Sequence, residues 1–469
     1  MSGDLSVLNA AALLPGHNPA SVSYSPRVTN DLTDFDFNDF LVPSRGSRAG
    51  RRVDVGKAFT DIQDGARVLI GPGCGTPTLL LEELAAQRGR WTRLEIVAGQ
   101  LVAPIALTQF AGEPFGFASV QPSEHLADRS SGGPADTVPA RYSDHPGLFA
   151  AGGALAPDVV LVQVSPPGPR GRFSLGVSVG STIDAVRSAP LVIAQVNREM
   201  PYTFGAGELR RDEIDLLVEM DGPVVELRRG EPGAEAQAIA RHALTQIPDG
   251  ATLQFGIGAV PEALMGMLAE RRELGIHSGM IGDGIADLID AGVITNTRKA
   301  FDQGVCVTAE IMGTRRLFDW VHRNPLVRTA PASYTHGVPV IARCSDFVSI
   351  QSALQVALDG SINAESIGPR QIAGPGGQPD YAEGAAAARG GIAIHALPAT
   401  AAGGKLSRIV PRLDAGAIIT TPRYLADRVV TEFGVAQLRG RTLAQRAEAL
   451  TAIAHPDFRA GLMGVGVAR

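Results

Sequence analysis

The sequence predicts an α/β protein built from two related open α/β domains, and three observations point there. Short β-branched runs of strand length recur, among them Val68-Leu69-Ile70, Asp158-Val159-Val160-Leu161-Val162-Gln163-Val164 and Leu191-Val192-Ile193-Ala194-Gln195-Val196. Their continuous apolar character is that of strands covered on both faces. They alternate with helical stretches and end in glycine, proline or polar loops, where an open α/β sheet places its functional groups. Finally, one pattern occurs twice, roughly 185 residues apart: strand, glycines, proline, leucine-rich helix.

The elements follow in order. The first fifty residues are rich in Ser, Asn, Asp and Pro, contain an FDFNDF run and end in the basic cluster Arg45 to Arg52. They read as an irregular N-terminal extension over residues 1–55, and the basic cluster as a solvated charge run. Val68-Leu69-Ile70 then runs into the turn Gly71-Pro72-Gly73-Cys74-Gly75, and Pro77 opens a helix through Leu79, Leu80, Leu81 and Leu84. The second copy is Leu253-Gln254-Phe255-Gly256-Ile257-Gly258, then Pro261, Leu264, Met265 and Leu268. A division near residue 230, at Arg228-Arg229-Gly230-Glu231-Pro232-Gly233, gives one domain over 56–230 and another over 231–469.

Composition bounds the function. A chain of 469 residues with 45% hydrophobic and 19% charged residues can bury more than one core. A net charge of −6 without a basic block argues against nucleic-acid binding through a basic patch. Three distant cysteines, Cys74, Cys306 and Cys344, fit neither a disulfide scaffold nor a zinc motif. No apolar run reaches the length of a membrane helix and the N-terminus lacks a signal-peptide pattern, so a cytoplasmic protein with no membrane partner is expected.

Two glycine-rich stretches carry the chemistry. Leu274-Gly275-Ile276-His277-Ser278-Gly279-Met280-Ile281-Gly282-Asp283-Gly284 ends an apolar strand in small and polar residues, where backbone amides can approach a ligand. Ala373-Gly374-Pro375-Gly376-Gly377-Gln378-Pro379-Asp380-Tyr381 can present several N–H groups to one oxygen, as a thioester oxyanion requires. Neither matches a P-loop. Gly256-Ile257-Gly258 lacks the third glycine of a dinucleotide fingerprint, since position 261 is Pro.

In order, GIGAVPEAL, LGIHSGMIGDGIADLIDAGVITN, MGTRRLFDW with Asn324-Pro325, AGPGGQPDYAEGA, SRIVPRL, VVTEFGVAQLRG and AIAHPDFR closely resemble the acetyl-CoA hydrolase/transferase family, which includes 4-hydroxybutyrate and related acyl-CoA:carboxylate CoA-transferases. VSPPGPRGRFSLG and VIAQVNREMP extend the resemblance into the N-terminal half, so that it covers about residues 65 to 465. It implies two domains of the CoA-transferase type, an active site in the cleft between them with its loops on the C-terminal domain, and a homodimer. It also implies acyl-CoA and a small carboxylate such as acetate as substrates, with coenzyme A as carrier and no metal. In the implied reaction a glutamate attacks the thioester and passes through an anhydride to a glutamyl-CoA. Carried over, the amide-bearing loops are Gly256, Gly258 and Val260, and Gly374, Gly376, Gly377 and Gln378.

The departures are specific. The resemblance puts the attacking glutamate between His-Ser and Met, where this chain has Gly279. The family Asn of Ile-Asn-Ser-Ala is Gln351, and a nearby acidic residue is Ala357. His277 and Glu310 are the side chains that remain to act as base. For Glu310 an exposed or ion-paired position is the plainer expectation, for His277 a hydrogen-bonded structural one, and for Asp283 a helix N-cap. The chain is thus a CoA-transferase using another carboxylate, a direct acyl-CoA hydrolase, or a non-catalytic acyl-CoA-binding protein or inactive partner subunit.

Overall fold

Every residue of the strand Val159–Val164 is buried, and its neighbour Leu191–Val196 is buried at five of six positions, so apolar runs here mean strands with both faces covered. They belong to the first of two sheets in the computed structural model, which describes residues 50–464. Residues 1–49, with most of the expected N-terminal extension and of the basic cluster, lie outside the described residues. Of that cluster, Arg52 pairs with Glu219 at 3.3 Å.

The first sheet has eight parallel strands, in the spatial order Arg51–Arg52, Leu216–Glu219, Leu191–Val196, Val159–Val164, Arg67–Ile70, Leu94–Ala98, Phe115–Ser119 and Ala135–Thr137. One face packs on Phe59, Leu80, Leu84 and Phe117, the other on Phe149, Ile183, Val186 and Leu209. The second sheet has nine strands, in the order Gly434–Gln437, Arg428–Thr431, Ile392–Ala396, Phe347–Ser352, Thr252–Phe255, Gly275–Ile281, Cys306–Ile311, Val327–Thr329 and Phe204–Gly205. Only the hairpin Arg428–Gln437 is antiparallel within it.

The two copies of the sequence pattern occupy equivalent places. Arg67–Ile70 and Thr252–Phe255 are both central, each with the next sheet strand in sequence on one side and a later one on the other. Each leads through glycines into a helix, Thr78–Ala86 and Ala259–Met267. Between the sheets in sequence, Arg228 to Gly233 precedes the helix Ala234–Leu244. Phe204–Gly205 crosses over: it lies in the first half of the chain but forms an edge of the second sheet. Among the described residues no helix is long and apolar enough to cross a membrane, and no group of His, Cys, Asp and Glu is arranged to hold a metal.

Asp283 departs from the sequence expectation. Gly282 is the N-cap of the helix Asp283–Asp290, and Asp283 is its first residue. Its carboxylate accepts from the Thr314 amide at 3.0 Å and the Thr314 hydroxyl at 2.6 Å, tying together the starts of two successive helices. Asp283→Ala removes both bonds at a half-buried position. It should lower unfolding stability by about 1–2 kcal/mol in urea titration; an unchanged midpoint would mean that the tie is replaced by water.

Candidate active site

Strands of both sheets end at one cavity of about 300 Å³. From the first sheet come Pro72, Gly99, Gln100 and Gln121, each just beyond a strand, with Tyr142, His145 and Ser181 from later loops. The second sheet supplies Gln254 to Ile257, Gly279, Met280, Glu310, Met312, Gln351 and Ser352, and the 373–378 loop closes one side with His336 and Tyr381. Ligand sites of open parallel sheets form beyond the carboxyl ends of the strands in this way.

Main-chain bonds between the lobes build the site. The amides of Val179 and Gly180 both donate to the Ala309 carbonyl at 3.1 Å, and the Ile311 amide donates to the Val177 carbonyl at 2.8 Å. The end of Cys306–Ile311 therefore pairs across the cleft, with Ser178 opposite Glu310. A second seam runs along Arg141–Asp144. There the Tyr142 amide donates to the Gly376 carbonyl at 2.9 Å, and Ser143 donates through its amide (3.1 Å) and hydroxyl (2.7 Å) to Asp380. Arg141 adds an ion pair to Glu383 at 2.8 Å. Burial raises Asp380 to about 7, with the bonds from Ser143 opposing the rise.

Glu310 is the one acidic side chain in the cavity wall, which contains no Lys or Arg among the described residues. It is 4% exposed, so the expected exposed or ion-paired position is not the one it takes. Its main chain lies opposite Met280, one residue beyond Gly279 on the adjacent strand. The Tyr142 hydroxyl donates to Oε1 at 2.8 Å, while Oε2 makes no hydrogen bond among the described residues. Burial pushes the carboxyl up to about 8; the Ser178 hydroxyl, near but outside hydrogen-bonding geometry, and Tyr142 pull it back down.

Two imidazoles pack against the ring of Tyr142, the hydrogen-bond partner of Glu310. His145 is buried with neither ring nitrogen bonded, and its ring lies 4.8 Å from that of Tyr142; burial lowers it to about 4. His336 lies 4.3 Å from the Tyr142 ring and 4.7 Å from the Tyr381 ring, and burial holds it well below the usual histidine range. Two glycines make room for it. A Cβ on Gly279 would come within 2.6 Å of His336 Nε2 and 3.0 Å of the Tyr381 hydroxyl, and one on Gly377 within 2.5 Å of His336 Cδ2. These approaches are closer than side-chain packing tolerates.

Gln351 donates to Gln254 Oε1 at 2.5 Å, so two carboxamides line the wall together. Gln378 donates to the Thr421 hydroxyl at 3.1 Å. Of the residues singled out from sequence, Gly256, Gly279, Glu310, Gln351, Gly374, Gly376, Gly377 and Gln378 meet at the cavity. The others do not line it. Gly258 is the N-cap of the helix Ala259–Met267 with φ +145°, and Val260 is buried in that helix. His277 is fully buried and packs its ring 5.9 Å from Phe301 and 5.7 Å from Tyr334. Burial, then the positive charge of Lys299, lower it to about 3; the Tyr334 and Thr335 main chain opposes this slightly without reaching hydrogen-bonding geometry.

Tyr142, His145, Gln254, His336 and Tyr381 complete the wall, and sequence spacing alone singles out none of them. Tyr381 closes the glycine-rich AGPGGQPDY stretch and Gln254 precedes Gly256 by two, which is the only local signal either carries.

The chain matches the Acetyl-CoA hydrolase/transferase N-terminal domain over residues 52–226 and the corresponding C-terminal domain over residues 313–465. It is 42% identical over 412 residues to the 4-hydroxybutyrate coenzyme A transferase of Clostridium kluyveri, covering 88% of this chain and 96% of that protein. Among solved structures it is similar to RipA from Yersinia pestis, with 33% identity and a TM-score of 0.83 over 88% of this chain and 96% of that one. A 4-hydroxybutyrate CoA-transferase from Porphyromonas gingivalis superposes with the same coverages, 32% identity and a TM-score of 0.73.

The state of Glu310 can be checked without any substrate. The folded carboxyl titrates above its unfolded value, so its contribution to stability is full below about pH 4.5 and is lost as pH rises through about 8. Relative to Glu310→Gln, the wild type should lose stability steadily across that window and no further above it. A gap independent of pH in thermal unfolding would show that Glu310 titrates normally.

Proposed function

The chain belongs to the acetyl-CoA hydrolase/transferase family, and from that premise we propose that it cleaves acyl-CoA thioesters in this cavity by direct attack of water, with Glu310 as the proton donor. Gly279 stands where the resemblance implies the attacking glutamate, and a glycine cannot form an acyl anhydride. One observation carries the reading: among the described residues Glu310 is the sole acidic side chain in the wall, buried, with Oε2 unbonded.

The chemistry follows from its environment. With its proton pushed up to about 8, Glu310 is largely a neutral acid near pH 7. A carboxylic acid can donate a hydrogen bond to charge growing on the thioester and deliver its proton to the departing sulfur. Water adds to the carbonyl carbon, the C–S bond breaks, and the proton lost by the water returns to the Glu310 carboxylate, leaving a carboxylic acid, the free thiol and the neutral acid restored. The amides of Gly374, Gly376 and Gly377 are the donors suited to the oxyanion. A 300 Å³ cavity accommodates the acyl and thioester end of the substrate rather than the whole coenzyme.

A second reading, CoA transfer through a glutamyl-CoA on Glu310, is favoured by the same unbonded Oε2 and by the transferase relatives. The two readings predict opposite pH limbs. As a donor, Glu310 makes kcat/KM fall as pH rises through about 8; as an attacking carboxylate it makes kcat/KM rise there. Free-CoA release should be followed with acetyl-, butyryl- and 4-hydroxybutyryl-CoA for wild type and Glu310→Gln, together with borohydride reduction and mass spectrometry of the protein. The hydrolytic reading expects a falling limb that Glu310→Gln flattens, and no modified glutamate. A rising limb or a trapped adduct on Glu310 would replace it with transfer, and absence of turnover with every thioester would leave acyl-CoA binding alone.

A further inference from the structure

Beside the bare Cα of Gly279 two unlike polar groups converge. His336 Nε2 and the Tyr381 hydroxyl lie 2.6 Å and 3.0 Å from the point a Cβ would take. Tyr381 is 1% exposed, yet its hydroxyl makes no hydrogen bond among the described residues. It is a donor without an acceptor, which is costly to bury.

The protonation of His336 follows from its other nitrogen. The Thr335 hydroxyl lies 2.9 Å from His336 Nδ1 and donates its single proton to the Pro331 carbonyl at 3.2 Å. With its proton there it accepts from Nδ1–H, and in this tautomer Nε2, the nitrogen beside Gly279 and Gly377, carries the lone pair. An acceptor and a donor facing one small space are the two partners that an ordered water needs.

We propose that His336 is the catalytic base of this site, drawing the proton from a water held between its Nε2 and the Tyr381 hydroxyl over Gly279. This rests on the hydrolytic reading and deepens it. The water oxygen bonds to the carbonyl carbon as its proton moves to Nε2, and Glu310 gives its proton to the sulfur as the C–S bond breaks. The site is left with an imidazolium and a carboxylate, and proton transfer between them through the Tyr142 hydroxyl or cavity water restores both. Gly279 and Gly377 serve this step by leaving room for the imidazole.

The test uses the full-length protein and the same acyl-CoA probes. His336→Gln and His336→Ala should lower kcat for CoA release by about 10²–10⁴-fold. Binding of a non-hydrolysable thioether analogue should stay unchanged, and added imidazole should restore part of the His336→Ala rate. Tyr381→Phe should lower kcat by a smaller factor. Nitrogen-15 NMR of histidine-labelled protein should report His336 protonated on Nδ1. Gly377→Val and Gly279→Ala should each abolish turnover by displacing the ring. His336→Ala should relieve the loss of stability that either glycine replacement causes without restoring activity. Wild-type rates in His336→Gln, or a proton on Nε2, would overturn the inference. If the wild type itself releases no CoA, the hydrolytic reading fails first, and the two failures remain distinct.

Discussion

The site depends on a strand end shared between the two lobes. Val177, Val179 and Gly180 bond through their main chain to Ala309 and Ile311, so Glu310 is flanked on both sides by paired backbone. Backbone groups buried in a cleft must find partners, and here they find them across it. The side chain between them keeps Oε2 unbonded. Among the described residues only Tyr142 hydrogen-bonds it, at Oε1, and Tyr142 lies in the second seam, where its amide donates to Gly376 and the next residue, Ser143, holds Asp380. Either lobe alone would leave Glu310 in water with an ordinary carboxyl. Its enclosure exists only where the two sheets meet.

That enclosure sorts the titratable groups by type. Loss of water disfavours charge, so it raises an acid and lowers a base. Glu310 moves up to about 8, His145 down to about 4 and His336 well below its usual range. With no Lys or Arg in the wall among the described residues, the result at neutral pH is a nearly uncharged pocket that holds a proton donor and proton acceptors together. A thioester is itself uncharged, so such a pocket gains nothing electrostatically from the bound ester. In the proposed hydrolysis its donors and acceptors act on the charge that develops as the carbonyl is attacked, which is the difference that accelerates a reaction.

The fold was legible because parallel strands buried on both faces need continuous apolar runs, and the duplicated strand-glycine-helix pattern marks equivalent central strands in the two sheets. The crossing of Phe204–Gly205 into the second sheet was not legible: a two-residue edge strand carries no periodicity. At the site, the glycine loops were visible because a missing Cβ is a sequence fact. Glu310 stood out as a charge in an apolar strand, but charged residues are so seldom buried that exposure was the natural expectation. His336 and Tyr142 are far apart in sequence and meet from loops of opposite lobes, a contact no spacing encodes. His277, a candidate base, takes the structural position that was the plainer expectation, though its ring nitrogens make no hydrogen bond among the described residues. It sits two positions from Gly279 on one strand, and so on the same face, but its ring fills the packing behind the wall, against Phe301 and Tyr334.

Gly279 shows why an absent side chain needs its surroundings to be understood. From the sequence, Gly279 reads only as the absence of the attacking glutamate that the resemblance implies. In the fold the first atom of any side chain there already collides with the His336 ring, and Gly377 is bare against the same ring. A carboxylate at 279 and an imidazole at this position of 336 cannot coexist without displacing one another. In the proposed hydrolysis, the bare Gly279 is what leaves room for an imidazole that can take a proton from water. Interiors packed this closely do not admit a side chain at 279 with the ring left in place. Placing a glutamate at residue 279 moves the histidine before the new carboxylate can act.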